Sequence, residues 1–566
     1  MLSVEDRRSV RLVCKAWSTA ARETLTELCP DSYARPSRIT RARYPSLESV
    51  DLTMLRGWGR AGEEYWVPAL VQLDLKHLTL GHSNGMRAQV LRQICRMPNL
   101  QSLHLSRKQL LPGSHAELAN LPQSLRALSL TWVNGTSPQS SGDLTSLELG
   151  ALWHGMLEAV AAVLSLPQLE RLELRGCAGL DGGALRGLAG MPALRALRLS
   201  SCGQLDAAAL AALGSAPALR DLALVNCRLE GMGGLAPLRG LRRLDLGGST
   251  CAEEAGVPGL EALLAALPAL AHLELACRGG ELGALARVAG AGGLPALRTL
   301  RLAEVHGGDA GKELAALARF PALAALGVSL EGGEALVARL AALAPLPLTA
   351  LRLAHVPALD AAALRALRAL RSLRSLALHA AALPDGWAPL ALAAALPALE
   401  RLDLSHLTCP GTAMDARHAH DGACLARLVS LRCVGCSTAL HRALAAGLHT
   451  APSLEQASLA HGWTSDADVA PLAALPALRR LALTGTGRGA SLSAGGLRAL
   501  VGGSRSLARL VVDAGWDQDE GLSAALAAAP RVLCQVCEGE VRLDEALSAT
   551  NLGRLEPFNP CRPAAE

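Results

Sequence analysis

Two pairs of cysteines, Cys433-x-x-Cys436 and Cys534-x-x-Cys537, have the spacing of zinc-ligand pairs. His418 and His420, with Cys409 and Cys424 nearby, are a second set of nitrogen and sulfur donors. A third candidate is Gly485-Thr-Gly487-Arg-Gly489-Ala490, with Asp513 further on. It imitates the glycine fingerprint that lets a backbone approach a dinucleotide pyrophosphate. Serine, histidine and aspartate are all present, so a nucleophile, base and orienting acid could meet across distant segments, but no motif marks such a trio. Each chemistry needs elements that would position it.

Composition narrows those elements. The chain has 566 residues, half of them hydrophobic, yet only two Phe, three Tyr and eight Trp. A core of small aliphatic side chains in thin repeated layers fits this better than one thick globular core. The formal net charge of +5 is weak for this length and argues against a dedicated nucleic-acid binder. No apolar, charge-free run reaches the roughly 18 residues of a membrane span. The longest candidate, Gly386 to Leu399, carries two prolines. The opening MLSVEDRRSVRLVC is charged where a secretory signal would be apolar. The 15 cysteines lack the tight spacings of a disulfide-rich module. A cytoplasmic protein is expected, with nuclear placement open. The sequon at Asn134-Gly135-Thr136 then has no glycosylation consequence.

A repeat sets the elements. PQLERLELRGCAGLDGGALRGLAG begins at Pro167, PALRALRLSSCGQLDAAALAALGS at Pro192 and PALRDLALVNCRLEGMGGLAPL at Pro217. Leu169, Leu194 and Leu219 are each 25 residues apart and open the pattern Leu-x-x-Leu-x-Leu, with Cys177, Cys202 and Cys227 eight residues on. Nineteen such anchors run from Leu47 to Leu507, among them Leu70, Leu125 and Leu144, and a degraded unit follows near Leu533. A period in the twenties marks a solenoid. The last two leucines of the pattern alternate like a strand with one buried face. A helical stretch such as Gly183–Ala189 or Ala361–Leu370 follows, and a proline or small residue closes it, as at Met191-Pro192 and Leu267-Pro268. Two polar stretches break the rhythm, Asn134–Asp143 and Ala413–Gly422; both are candidate hinges or partner loops, with surface-loop drift the favoured reading.

The register accounts for the chemical candidates. Cys433 replaces a buried strand leucine and Cys436 takes the repeat's own cysteine position. Cys534 and Cys537 lie about four coils away, too far to share a metal. The His418 and His420 spacing matches no zinc finger. The glycine run is an ordinary inter-strand loop, and a solenoid has no switch-point crevice for a dinucleotide. No metal, no cofactor and no enzymatic activity are expected.

These units resemble leucine-rich repeats, closest to the cysteine-containing type with a helix in each coil. The resemblance implies an α/β solenoid, a horseshoe or open superhelix with a parallel inner sheet and outer helices, of about 19–20 coils. Strands about 4.8 Å apart against helices roughly 8–10 Å apart would bend it.

The N-terminal segment carries a second resemblance. Ser3-Val-Glu-Asp6 reads as a helix start, and Val10, Val13, Cys14 and Trp17 share one helical face. Leu12-Val-Cys-Lys-Ala-Trp17 resembles the second half of an F-box; the family's opening Leu-Pro-containing segment is missing. In that family the F-box docks the adaptor of a cullin-RING ubiquitin ligase and the repeats hold the substrate. The resemblance therefore implies Val10, Val13, Cys14 and Trp17 as adaptor contacts. The same residues would equally serve to cap the solenoid. A repeat scaffold of a cytoskeletal assembly such as the ciliary axoneme remains the alternative. The organisation expected is a partial F-box-like segment 1–28, a basic linker 29–46 with Arg35, Arg38, Arg41 and Arg43, repeats 47–543, and a cap and tail 544–566.

A protein partner is expected on the concave face, formed by the second, fourth and sixth positions after each anchor. Arg171, Glu173, Arg175 and Arg198 form one cluster there. Arg243 with Asp245, His272 with Glu274, and Arg401 with Asp403 are others. The mixed signs suit a protein better than phosphate. Trp153, Trp463 and Trp516 fall nine residues after an anchor, where they would either rim that face or pack over the next coil.

Overall fold

The computed structural model describes residues 25–28, 39–52, 61–80, 88–105, 115–131, 157, 160–177, 179–251, 256–277, 280–305, 310–330, 336–356, 359, 361–380, 396–407, 427–436, 444, 448, 451–460, 466–484, 493–513, 529 and 532–537. Val10, Val13, Cys14 and Trp17 lie outside them. So do Trp153, Trp463, Trp516, both polar stretches, the His418 and His420 segment and the Gly485–Ala490 run.

Twenty-one short strands join one parallel sheet. Among the described residues, Glu27–Leu28 pairs only with Ser49–Asp51, and Leu533–Cys537 only with Arg509–Asp513, so the sheet is open. Between these ends each strand pairs with the next in chain order, as Arg171–Arg175 does with Ala196–Leu205. Thr250–Cys251 stands apart and pairs beside the far end of Asp221–Leu229. The chain is an α/β leucine-rich repeat solenoid.

The pattern of burial explains the strands. In Arg171–Arg175, Leu172 and Leu174 are buried while Arg171 and Glu173 are half-buried and Arg175 is exposed. Anchor, third and fifth leucines of neighbouring coils meet in one continuous hydrophobic cluster. No coil could bury this surface alone, which is why the coils stack.

Among the described residues, eight strands end in a left-handed turn at the seventh position after their anchors. Gly176, Gly248 and Gly435 have φ of 74°, 67° and 65°, and Ser201, Asn226, His355, Ala380 and His406 adopt 48–56° in the same place. Glycine suits that conformation because a Cβ is disfavoured there. This is the physical content of the Gly-Cys pairs in the repeat.

Coil length sets the return segment. The 22-residue coil from Leu219 has room only for a single 3-10 turn, Met232–Leu235, whereas the 29-residue coil from Leu241 holds the α-helix Gly256–Ala265. The expected helix at Gly183–Ala189 is likewise a 3-10 segment, Arg186–Gly190, which suits the three-residue spacing of Leu185 and Leu188. Ala361–Arg368 is α-helical as expected. Gly214 and Gly234 let their return segments touch; a Cβ on Gly234 would come within 2.6 Å of Ala211 N.

Three expectations change. The second coil is anchored at Leu75 rather than Leu70, because Leu75-x-x-Leu78-x-Leu80 overlaps the earlier match and its strand, His77–Leu80, aligns with Ser49–Asp51. Leu70 instead ends the buried helix Ala61–Leu70. Ala127–Thr131 pairs residue for residue with Arg171–Arg175, so the coil expected at Leu144, which lies outside the described residues, does not part these two strands. Nineteen residues from Leu125 are too few for a strand, a crossover and a return to a parallel neighbour. The sheet also begins before Leu47: Leu25 and Leu28 form an earlier, truncated repeat, and Ile39 and Tyr44 from the expected basic linker are buried in the core.

Candidate functional site

The outward strand positions form ladders that run across the coils. The fourth-position ladder carries Ser129, Glu173, Arg198, Ala223, Asp245, Glu274 and Arg301 on consecutive paired strands. Parallel pairing in constant register is what brings these residues side by side. The Ser129 hydroxyl donates to Glu173 at 3.0 Å. Arg198 Nε lies 3.7 Å from Glu173, and its Nη1 reaches 3.6 Å from Asp245 two strands away, over the small Ala223. Arg301 Nη1 donates to Glu274 Oε2 at 3.4 Å, and its stem lies against Gly327. Asp245 accepts from the amide of Gly247 at 2.9 Å.

This first cluster holds three carboxylates against two arginines, all partly sunk between neighbours. Burial pushes the pKa of Glu173 up, against the opposing pull of Arg198 and the Ser129 hydrogen bond. Burial raises Glu274 as well, and the adjacent Asp245 adds to it. On the second-position ladder, Asp221 beside Arg243 is raised by burial. His272 is held down to about 4, by burial first and then by Arg243, Arg298 and Arg301.

A second cluster centres on Asp403, 5% exposed. His379 Nε2 is 3.3 Å from its carboxylate and Arg432 Nε is 3.9 Å away. The Ser405 hydroxyl donates to the other carboxylate oxygen. Burial works to raise the Asp403 pKa, but His379, Arg432 and Ser405 together outweigh it and hold the carboxylate below its usual range. His379, Asp403 and Ser405 are thus the serine, histidine and aspartate that the fold brings together. Their arrangement is not that of a nucleophile and its base, because the hydroxyl gives its proton to the carboxylate rather than to the imidazole.

The structure therefore places Arg171, Glu173, Arg175 and Arg198 on adjacent strands, with Arg198 tied to both Glu173 and Asp245. Arg243 sits at the second position beside Asp221 and His272. Arg401 and Asp403 share a strand in the separate second cluster. Glu173, Arg198 and Asp245 are spent on one another, and Asp403 on His379 and Arg432. Arg301, His379, Ser405 and Arg432 complete the ladders and could have been found by reading the fourth and sixth positions of every coil.

The cysteines have a structural task. At the eighth position, Cys202 Sγ lies 3.7 Å from Leu174 O, Cys227 Sγ 3.8 Å from Leu199 O, and Cys436 Sγ 2.8 Å from Leu404 O. Each thiol donates to the fifth-position carbonyl of the preceding coil. Ser249 replaces the cysteine in the next coil and makes the same bond, to Leu224 O at 2.7 Å. The Cys177 thiol beside it, and then burial, push Cys202 up to about 12. Cys433 fills a fifth-position core site. Among the described residues no group of three or more His, Cys, Asp or Glu is placed to hold a metal ion, and no helix is long and apolar enough to cross a membrane.

No protein-family model matches the sequence, and no curated protein does. Solved structures similar in part include an internalin from Listeria monocytogenes, 17% identical, with a TM-score of 0.33 over 56% of this chain and 82% of that one. The TLR13–ssRNA13 complex is 18% identical, with a TM-score of 0.36 over 84% of this chain and 62% of that one. A leucine-rich repeat protein of Leptospira interrogans is 16% identical, with a TM-score of 0.29 over 77% of this chain and 90% of that one. At identities and scores this low, nothing about ligand, partner or activity passes from them to this chain.

Proposed function

We propose that the chain is a non-enzymatic protein–protein interaction solenoid of the cytoplasm, and that it serves as a substrate receptor of a cullin-RING ubiquitin ligase. The observation that supports the interaction reading is the ladder from Ser129 to Arg301. Its polar groups are held by neighbouring strands before any partner arrives, so little ordering remains to oppose binding. Arg171, Glu173, Arg175 and Arg198, with Arg243, Asp245, Arg401 and Asp403, are the proposed contact residues. The ligase part rests on the F-box-like string and its place ahead of the first coil, with Val10, Val13, Cys14 and Trp17 as the adaptor contacts.

Affinity capture from cells tests both parts. Val13→Asp with Trp17→Asp is expected to lose the ligase adaptor and cullin while other partners stay. Equal recovery of the adaptor removes the ligase reading and leaves the cytoskeletal scaffold. Arg171→Glu with Arg175→Glu is expected to lose the partner; Arg175 is exposed, where a substitution usually costs within about 0.5 kcal/mol, and Arg171 is half-buried, so melts run beside the capture. An unchanged captured set would move the partner off this face.

A further inference from the structure

The first position after each anchor carries a half-buried or exposed side chain just before the strand begins. Backbone bonds join these positions rung to rung: Arg195 N to Glu170 O, Arg220 N to Arg195 O and Arg242 N to Arg220 O, at 2.8, 2.8 and 2.7 Å. Elsewhere on this ladder opposite charges face each other. Lys76 meets Glu48 at 2.6 Å, Arg126 meets Glu170 at 3.5 Å, and Arg374 meets Glu400 at 3.3 Å. Across three successive middle coils the residues are instead Arg195, Arg220 and Arg242, with Arg298 two coils further on. All four are exposed. Arg239 stands in the turn just before Arg242, and Arg243 just after it has a buried Nε without a hydrogen-bond partner among the described residues. The first-position edge segments 191–195, 216–220, 237–242, 267–271 and 294–298 contain no aspartate or glutamate; the acid beside them is Asp221 at the second position, which faces Arg243 with Arg242 close by.

Like charges on neighbouring strands destabilise a sheet. The core gains little from this row, because the anchor leucines beneath it do the packing and the one side-chain hydrogen bond it makes among the described residues is the exposed donation from Arg220 Nη1 to Gly240 O at 3.2 Å. We propose that this arginine row binds an acidic, extended peptide segment of a partner protein, laid across the strands along the edge of the concave face. The inference rests on the interaction reading above and names the chemistry of the partner. Guanidinium groups pair with carboxylates in a planar, two-point fashion, and a row of them selects a run of acidic side chains. A single-stranded nucleic acid fits less well. Such ligands are usually held by stacking on aromatic rings, and the coils from Leu169 to Val305 contain no Phe, Tyr or Trp.

The test is fluorescence anisotropy with the full chain and a fluorescein-labelled polyglutamate peptide. A charge-matched single-stranded oligothymidylate and a neutral Gly-Ser peptide run beside it. Wild type is expected to bind polyglutamate in a salt-sensitive manner and the neutral peptide not at all. Reversal of Arg195, Arg220 and Arg242 to Glu should weaken polyglutamate binding at least about tenfold, since like-charge contacts are strongly unfavourable. Reversal of the exposed Arg365, Arg368 and Arg371 changes net charge equally and should leave binding near wild type. Arg220→Glu alone should weaken binding yet melt no lower than wild type, because it restores the alternating charges seen elsewhere on the ladder. That single variant decides the matter if the triple variant fails to fold. No polyglutamate binding by wild type, equal loss in both triple variants, or tighter binding of oligothymidylate would each overturn the proposal. If polyglutamate does not bind while Arg171→Glu with Arg175→Glu still abolishes partner capture, the acidic-segment inference falls and the interaction reading stands.

Discussion

Glu274 and Asp403 occupy the same strand position in different coils, yet their acidities move in opposite directions. Glu274 sits next to Asp245 and has Arg301 on one side only. Asp403 has no acid beside it in register and receives His379, Arg432 and Ser405. Both are sunk into the sheet, so burial alone opposes ionisation in each. What differs is the company each carboxylate keeps on the two adjacent strands. In a solenoid that company is chosen one coil at a time, so one repeat position can hold a firmly ionised group or a reluctant one.

The largest expected effect comes from removing the carboxylate that its neighbours favour. Asp403→Ala removes the carboxylate that His379, Arg432 and Ser405 surround and is expected to cost about 3 kcal/mol or more at neutral pH, read from denaturant midpoints. The Asp403 pKa is depressed, so its contribution is present above the unfolded value and is lost as pH falls through the folded one. The gap between wild type and variant should therefore close in acid. A gap that stays constant with pH would mean the carboxylate acts by packing alone.

The first cluster should show its own acid sensitivity through His272. Its folded pKa of about 4 lies below the ordinary 6.5, so the folded state resists the proton that the unfolded chain accepts. Stability should fall as pH drops from 6.5 toward 4, and His272→Gln should recover about 1–2 kcal/mol of that loss in melts at paired pH values. Identical slopes for the two proteins would show that His272 is not held neutral.

Glu274→Gln sharpens the contrast with the smallest change. A raised carboxylate pKa means that the folded state resists ionisation, so wild type should gain stability as pH falls toward that raised value. Replacing the group removes this gain. At neutral pH the variant is expected to be stabilised or to lose less than about 1 kcal/mol, even though the bond from Arg301 weakens. A loss as large as that of Asp403→Ala would erase the distinction between the clusters.

Much of this architecture was legible in the leucines. Anchors such as Leu169, Leu194 and Leu219 lie at the predicted places because three buried positions in six residues leave one workable register. The misreadings have local causes. Leu70 and Leu75 open overlapping patterns, and only pairing with Ser49–Asp51 chooses between them. Leu144 has the pattern, but the strands on either side of it in sequence pair directly with each other. The concave columns were readable by position, but their burial was not. Arg198 reaches Asp245 because Ala223 between them is small, a relation among three coils that no single repeat displays. The arginine row was missed because its position precedes the alternating part of the strand.

The eighth-position thiols have a use beyond holding the coils together. Cys202, Cys227 and Cys436 each close one step of the stack, and each is buried and bonded to the coil before it. A membrane-impermeant alkylating reagent can reach such a sulfur only when its own step opens. Repeat stacks open locally, with different costs at different places. The rate at which each sulfur is modified, followed by peptide mass, would thus report the opening free energy of that step. The chain carries native, site-resolved probes of where it first comes apart, and Ser249 marks one of the steps at which that readout is silent.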